Sequence, residues 1–391
     1  MRRLIRVIGV QALAVALAVL QWQIGVRTDE AKYLLNIPYP HPPAARFVMS
    51  LTKGWECQEL FWRLVFATLM LQAAWLVWDL ARDLSRNQRA IVATSWILSS
   101  AVLLQAGTVM MAPLTALQAL VLLWISSRPK LPERYPALIG FFWLATVFTA
   151  YQSVLFAPVA WYALRRRTLV ERCVYVGVPL LLLCAYTFFN PLSATSFGVH
   201  GARQVSEGIG ARALETLRIW LLGGGIVLGI TGLMGLVRSR RWDLLLSFLL
   251  VTAYVALSRY DYYAILFTPL LVVGLHRFFD PDCKTAPWFE RHVWTALFVA
   301  GCWTMLWFHP LPPQSVARET MRSLSLSHID LILIDGSYGH EWQYESPAVV
   351  RRFTQSLLPN AKAVLCLDVC PIFDKTSWER HPSPVETWVK T

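Results

Sequence analysis

MRRLIRVIGVQALAVALAVLQWQIGVRTDEAKYLLNIPYPHPPAAR, residues 1–46, is the stretch whose reading decides the fold. Arg2, Arg3 and Arg6 surround the start of an apolar run from Leu4 to Ile24, and the acidic pair Asp29-Glu30 follows it. The run matches a bilayer crossing of about 20 residues and exceeds the apolar core of a secretory leader, about 7–15 residues. A cleaved leader is the competing reading, with Ala14-Val15-Ala16 or Ala16-Leu17-Ala18 as its small-residue cleavage site. The length of the run, and the many apolar stretches after it, favour an uncleaved first helix. Ionised carboxylates are costly in lipid, so a membrane protein keeps them where water or a substrate reaches. Asp29 and Glu30 are therefore expected at a membrane face.

Composition agrees with a membrane protein. Of 391 residues, 56% are hydrophobic and 15% charged, against about 25% charged in a soluble domain. The net charge of +12 does not point to nucleic acid, because no basic stripe is interleaved with aromatics. The cations gather in short loops: Arg82, Arg86 and Arg89; Arg128, Lys130 and Arg134; Arg165 to Arg167 with Arg172; Arg238, Arg240 and Arg241; His276, Arg277, Lys284 and Arg291. These loops alternate with poorer ones, which is the positive-inside pattern.

Threading the chain by that rule gives about eleven crossings, near 4–26, 60–80, 90–107, 110–126, 136–149, 151–164, 173–189, 214–237, 243–257, 262–279 and 292–308. With Arg2 and Arg3 cytoplasmic, the first outer loop (27–59), the loops 190–213 and 258–261 and the tail after Phe308 lie outside. Residues 136–164 are too short for two full crossings, yet one crossing would put Arg165-Arg166-Arg167 outside. Two short or re-entrant helices around Thr149-Ala150-Tyr151-Gln152 satisfy the charge rule. Such helices are tolerated when buried in protein or lining a cavity, so a cavity within the membrane is expected there.

The sequence thus divides into a transmembrane domain, 1–309, and a soluble extracytoplasmic domain, 310–391. In the latter, Ile329 to Gly336 reads as a buried strand ending in a turn, Ser346 to Leu358 as a helix and Ala361 to Val369 as a second strand. A small α/β domain is expected. Its Ile334-Asp335-Gly336 turn resembles a piece of class I methyltransferases. That family needs a glycine-rich loop after its first strand, where this chain has a membrane helix. Of the seven cysteines, most lie in or beside apolar helices and behave as small hydrophobes. A Cys366–Cys370 bridge would need a turned backbone where a strand is read, and no Cys/His spacing resembles a zinc site.

Asp29-Glu30-Ala31-Lys32-Tyr33, followed by Tyr39-Pro40-His41-Pro42-Pro43-Ala44-Ala45-Arg46, resembles the first loop of GT-C glycosyltransferases. It looks closest to the bacterial undecaprenyl-phosphate-sugar and aminoarabinose transferases and the protein O-mannosyltransferases. The resemblance extends more weakly through Phe148-Thr149-Ala150-Tyr151-Gln152 and reappears near Ser258-Arg259-Tyr260 and Pro269. It implies a GT-C-like α-helical polytopic fold in the inner (plasma) membrane of a bacterium. The donor would be a polyprenyl-phosphate-linked sugar, and the acceptor a lipid, glycan or protein hydroxyl on the periplasmic or extracellular side. Asp29 matches the family's catalytic acid and would be the general base that takes the acceptor proton, with inversion at the anomeric carbon. Glu30 would orient the acceptor, or share a divalent metal with Asp29. Metal-independent chemistry without a cofactor is expected, because cationic side chains suffice for a phosphate leaving group. Arg259 beside Tyr260 is the first candidate to hold the phosphate, with Arg46 and Lys53 behind it, and His41 joins the substrate-binding set.

Plainer readings stand beside these. Asp29-Glu30 also reads as a solvated loop start, His41 as a turn residue held between prolines, and Arg259 as an interfacial anchor. Gly223-Gly224-Gly225 with Gly229 and Gly232 reads as close helix packing, and the 18 Trp as mostly belt or lipid-facing residues. The chain departs from the family pattern at Met110-Met111-Ala112-Pro113, where many members carry a second acid; Glu56 and Glu59 are the substitutes on offer. The other function classes are a polyprenyl-lipid flippase or transporter and an inactive lipid-binding scaffold. A transporter would show repeated halves or mid-membrane acids.

Overall fold

A computed structural model of the chain describes residues 2–38, 40–128, 130–193, 209–258, 260–279, 290, 292–299, 315–324, 329–336, 339–368 and 370–390. The protein is mostly helical, with one small sheet. Among the described residues, three helices are long and apolar enough to cross a membrane by length and composition: Val7–Ile24, Gln58–Leu80 and Leu169–Phe189. Met111–Ser126, Pro136–Val147, Val227–Arg238 and Trp242–Ser258 are apolar but shorter.

Several stretches read as single crossings are interrupted. Residues 90–107 divide into Arg86–Ile97 and Ser100–Gln105, where Ser99 caps the second helix by accepting from the Val102 N–H. Residues 151–164 divide into a 3₁₀ turn, Tyr151–Phe156, and a helix, Ala157–Ala163. Residues 262–279 divide in the same way into Asp261–Leu266 and Thr268–Phe278. Both of the latter helices carry a proline in their first turn, Pro158 and Pro269. Proline lacks the N–H that would continue the preceding ladder and suits a helix start. Of the stretch 292–308, residues 300–308 lie outside the described residues.

The chain falls into two compact units. The first comprises residues 1–18, 38–48 and 62–308. Its core is apolar and continuous, with Trp96, Trp143, Phe156 and Phe267 among its largest fully buried side chains. Helix Ile209–Arg238 breaks at Gly225, whose φ of 71° and ψ of 166° suit glycine alone. Beyond the break it packs on Thr268–Phe278. A Cβ at Gly235 would lie 1.8 Å from the Gly274 carbonyl oxygen, and one at Gly232 would lie 2.6 Å from that of Leu271. The glycine-rich stretch thus has two roles, a helix break at Gly225 and close backbone packing from Gly232 onward.

The second unit comprises residues 19–37, 49–61 and 309–391. Its strands are β1 (Leu331–Asp335), β2 (Val349–Arg352), β3 (Ala363–Cys366), β4 (Trp378–His381) and β5 (Glu386–Lys390), in the order β2-β1-β3-β5-β4. β1 pairs in parallel with β2 and β3, and β5 runs antiparallel to β3 and β4. Ile332, Ile334, Val350 and Leu365 pack one face against Met321 and Trp342, while Leu333, Val364 and Trp378 fill the other. A strand covered on both faces reads as an unbroken apolar run, which is why Leu331-Ile332-Leu333-Ile334 was recognisable.

The rest of this unit corrects two expectations. Residues 346–358 are not a helix: they supply β2 and a turn, and the helix lies earlier, at His340–Glu345. Val349 and Val350 are β-branched and align with Leu331 and Ile332, a pairing that local periodicity does not reveal. Cys366 and Cys370 are joined by a disulfide, with a Cα–Cα distance of 4.7 Å. β3 stops at Cys366, and the chain bends at Leu367 and Asp368, which supplies the turned backbone that a continuous strand would have denied.

Candidate functional site

Asp29 and Glu30 lie in the first turn of a short helix, Thr28–Leu34, in the second unit. Helix His340–Glu345 packs against it, and the Thr28 hydroxyl donates to the Glu341 carboxylate. The two acids do different things. Glu30 is fully buried and its carboxylate accepts from the Arg27 backbone N–H at 2.9 Å, closing the helix N-terminus. Asp29 is 27% exposed and accepts from the Lys32 ammonium at 2.9 Å. Asp29 therefore keeps an exposed edge that Glu30 lacks.

His340 belongs to the same cluster. Burial pushes its imidazole below the ordinary value of 6.5, the Lys32 ammonium adds to the effect, and Asp29 opposes it. An acid, an amine and an imidazole that favours its neutral form are the groups from which proton transfer is assembled. Sequence reasoning singled out Asp29 and missed Lys32 and His340. Lys32 was within reach, because i,i+3 spacing puts it over Asp29; His340 is more than 300 residues away.

Glu59 was a substitute for the missing second acid, and its carboxylate is otherwise engaged. Arg318 donates to Glu59, to both Glu345 oxygens and to the Trp22 carbonyl. Arg318 and Glu59 are buried, at 7% and 6% exposure. Burial acts to lower the guanidinium's affinity for its proton, and Glu345 and Glu59 outweigh it, so the charge is held more firmly than usual. Glu56 and Lys53 are exposed. Met110, Met111 and Ala112, where many relatives of the expected family carry an acid, are buried apolar residues.

His41, Arg46 and Tyr260 belong to the first unit, and Arg259 lies outside the described residues. The loop carrying His41-Pro42-Pro43 is fastened through its backbone. The Pro40 carbonyl accepts from the Tyr151 hydroxyl, from the Ser193 hydroxyl at 2.8 Å and from the Asn190 amide at 3.3 Å. The His41 carbonyl accepts from the Tyr186 hydroxyl at 3.4 Å, and the Ala44 N–H donates to the Phe148 carbonyl at 3.3 Å. The His41 ring packs on Tyr151, with centroids 5.1 Å apart. Arg46 follows, half-buried, in helix Ala44–Ser50.

Tyr260 stacks on Tyr262 at 5.2 Å and lies edge-on to Tyr263 at 6.1 Å. Behind them, Gln152 donates through its amide to the hydroxyls of Tyr254 and Tyr263, at 2.7 and 2.9 Å. Tyr260 is 42% exposed. Donor atoms of Cys366, Cys370 and Glu386 lie within 4.8 Å of one another, but the two sulfurs are bonded to each other. Comparison with protein-family models, with curated proteins and with solved structures gives no match.

Proposed function

We propose that this protein is a GT-C-like membrane glycosyltransferase that moves a sugar from a polyprenyl-phosphate donor to an acceptor hydroxyl on the outer face of the membrane. In this reading Asp29 is the general base and the reaction inverts the anomeric configuration. The observation that carries it is the fastening of the His41-Pro42-Pro43 loop onto Tyr151 and Phe148. These are two of the segments in which the likeness to GT-C enzymes resides, more than 100 residues apart in the chain, and they meet in the first unit. The partly exposed Asp29 carboxylate, with the His340 imidazole close enough to act on it electrostatically, supports the assignment of the base.

Under this proposal the interrupted apolar helices belong to about eleven crossings, with the active face and the tail outside a bacterial plasma membrane. Arg259 is the first candidate for the lipid phosphate, with Arg46 and Lys53 as the further candidates, His41 and Tyr260 are the candidates for substrate contact, and neither cofactor nor metal is needed. Glu30 takes a capping role instead of an acceptor-orienting one.

The second reading is an inactive lipid-binding scaffold. It is favoured by the Lys32–Asp29 ion pair, which occupies the proposed base, and by the buried methionines where an acid is expected. Transfer from radiolabelled polyprenyl-phosphate sugars in proteoliposomes separates the two. Transfer by the wild type and its loss in Asp29→Asn are expected. Equal transfer by both proteins overturns the general-base role, and no transfer by either supports the scaffold.

A further inference from the structure

We propose a second lipid site in the first unit, distinct from the sugar-transfer chemistry and independent of it: a groove that holds an anionic phospholipid. The groove has a volume of about 590 Å³ and lies between helices Ile209–Arg238 and Trp242–Ser258. These helices are joined by a short turn and pack side by side. Arg212, Thr216 and Trp220 recur every four residues on one wall, and Phe248, Thr252 and Ala256 do so on the other. That spacing puts each triplet on one helical face.

The polar groups of the lining decide the ligand. Thr216 donates to the Arg212 carbonyl and Thr252 to the Phe248 carbonyl, at 2.7 and 2.8 Å, so both hydroxyls are spent on their own helices. Arg212 Nε and Trp220 Nε1 are buried and have no hydrogen-bond partner among the described residues. Both are donors, and one is cationic. A buried donor without an acceptor is unfavourable, so the occupant must bring acceptor oxygens and negative charge. The remaining lining is apolar (Leu217, Leu233 and Phe248), so the occupant must also carry hydrocarbon. Leu217 of the lining, and Leu214, Leu246 and Leu249 of the same two helices, are exposed, as expected of helices that face lipid. A phospholipid with an anionic headgroup meets all these requirements: its phosphate faces Arg212, an ester carbonyl about two turns further along the helix accepts from Trp220 Nε1, and an acyl chain lies along Leu217 and Phe248.

The full-length protein, purified in detergent, would be examined by native mass spectrometry with phosphatidylglycerol, with phosphatidylcholine and with inorganic phosphate. The wild type is expected to retain phosphatidylglycerol at least tenfold better than phosphatidylcholine. Arg212→Gln is expected to abolish the preference, Arg212→Lys to retain part of it, and Thr252→Trp, which fills the groove, to abolish retention. Arg218→Gln is the charge control, because Arg218 pairs instead with Glu215 and Asp261 and should leave the preference intact. Equal retention of the two lipids, a preference unchanged in Arg212→Gln, or displacement of bound lipid by inorganic phosphate would each overturn the proposal.

Discussion

Arg318 and Glu59, 259 residues apart in the chain, share a buried ion pair that Glu345 completes. Two carboxylates and one guanidinium leave the group net negative, so its stability rests on the arginine. Arg318→Met is expected to cost about 3–5 kcal/mol, because it strands the buried Glu59 carboxylate and the partly buried one of Glu345. Arg318→Met combined with Glu59→Leu and Glu345→Leu is expected to recover most of that loss. Thermal unfolding in one detergent measures both. A single Glu59→Gln variant that kept wild-type stability and lost sugar transfer would instead restore Glu59 as a catalytic acid.

The acidic pair can be divided by experiment. Glu30→Ala removes a helix cap, with an expected loss of about 1 kcal/mol in stability and retention of transfer. Asp29→Asn is expected to abolish transfer with little change in melting temperature, since its partner Lys32 is partly exposed and such pairs contribute at most about 1 kcal/mol. Assaying stability and transfer on both variants tests the division; the reverse pattern would make Glu30 the catalytic acid.

How far the sequence foretold this arrangement depended on whether the cause was local. The apolar runs at Val7–Ile24, Gln58–Leu80 and Leu169–Phe189 are readable because bilayer thickness sets their length. The break between Val147 and Tyr151 follows from the same arithmetic, since 136–164 holds too few residues for two crossings. The capping role of Glu30 is a three-residue relationship that was open to inspection, and the expectation of a substrate role passed over it. β2 was misread because its strand character comes from Leu331–Ile334, a tertiary partner. The Arg318 network and His340 were hidden for the same reason: nothing near Glu59 or Asp29 in sequence announces them.

His340 makes stability depend on pH in a definite direction. Its folded-state value lies below the ordinary 6.5, chiefly through burial. As pH falls, the unfolded chain takes up this proton first. The stability that His340 contributes is therefore present above pH about 6.5 and is lost as pH falls through the lower folded value. Melting temperature measured from pH about 7.5 to 5.5 should fall more in the wild type than in His340→Gln. Asp29→Asn should steepen the fall, because it removes the charge that favours the protonated ring.

The crossing of Ile209–Arg238 over Thr268–Phe278 has no room for a methyl group at Gly235, where a Cβ would meet the Gly274 carbonyl oxygen at 1.8 Å. Gly235→Ala must separate two helices, and a loss of about 1–3 kcal/mol is expected. Gly9→Ala is the control: nothing lies within 4 Å of a Cβ there, and alanine in a helix interior is favoured over glycine by about 0.5–1 kcal/mol. Opposite signs for the two substitutions, measured by thermal unfolding, are the expected result.

The Pro40 carbonyl has two lone pairs and three donors around it, from Tyr151, Ser193 and Asn190. Loss of one donor is therefore partly compensated. Tyr151→Phe is expected to cost about 1 kcal/mol and to leave the loop in place. Tyr151→Phe with Ser193→Ala leaves only the longer Asn190 bond, and the cost should exceed the sum of the single variants because the groups act on one acceptor. Hydrogen exchange gives a local readout. The Ala44 N–H, bonded to the Phe148 carbonyl, should lose protection in the double variant, while helix Thr28–Leu34 keeps its own. If the proposed function is right, transfer activity falls with that protection, because His41 is positioned by the same loop. Unchanged exchange at Ala44 would mean that the prolines hold the loop without these hydroxyls.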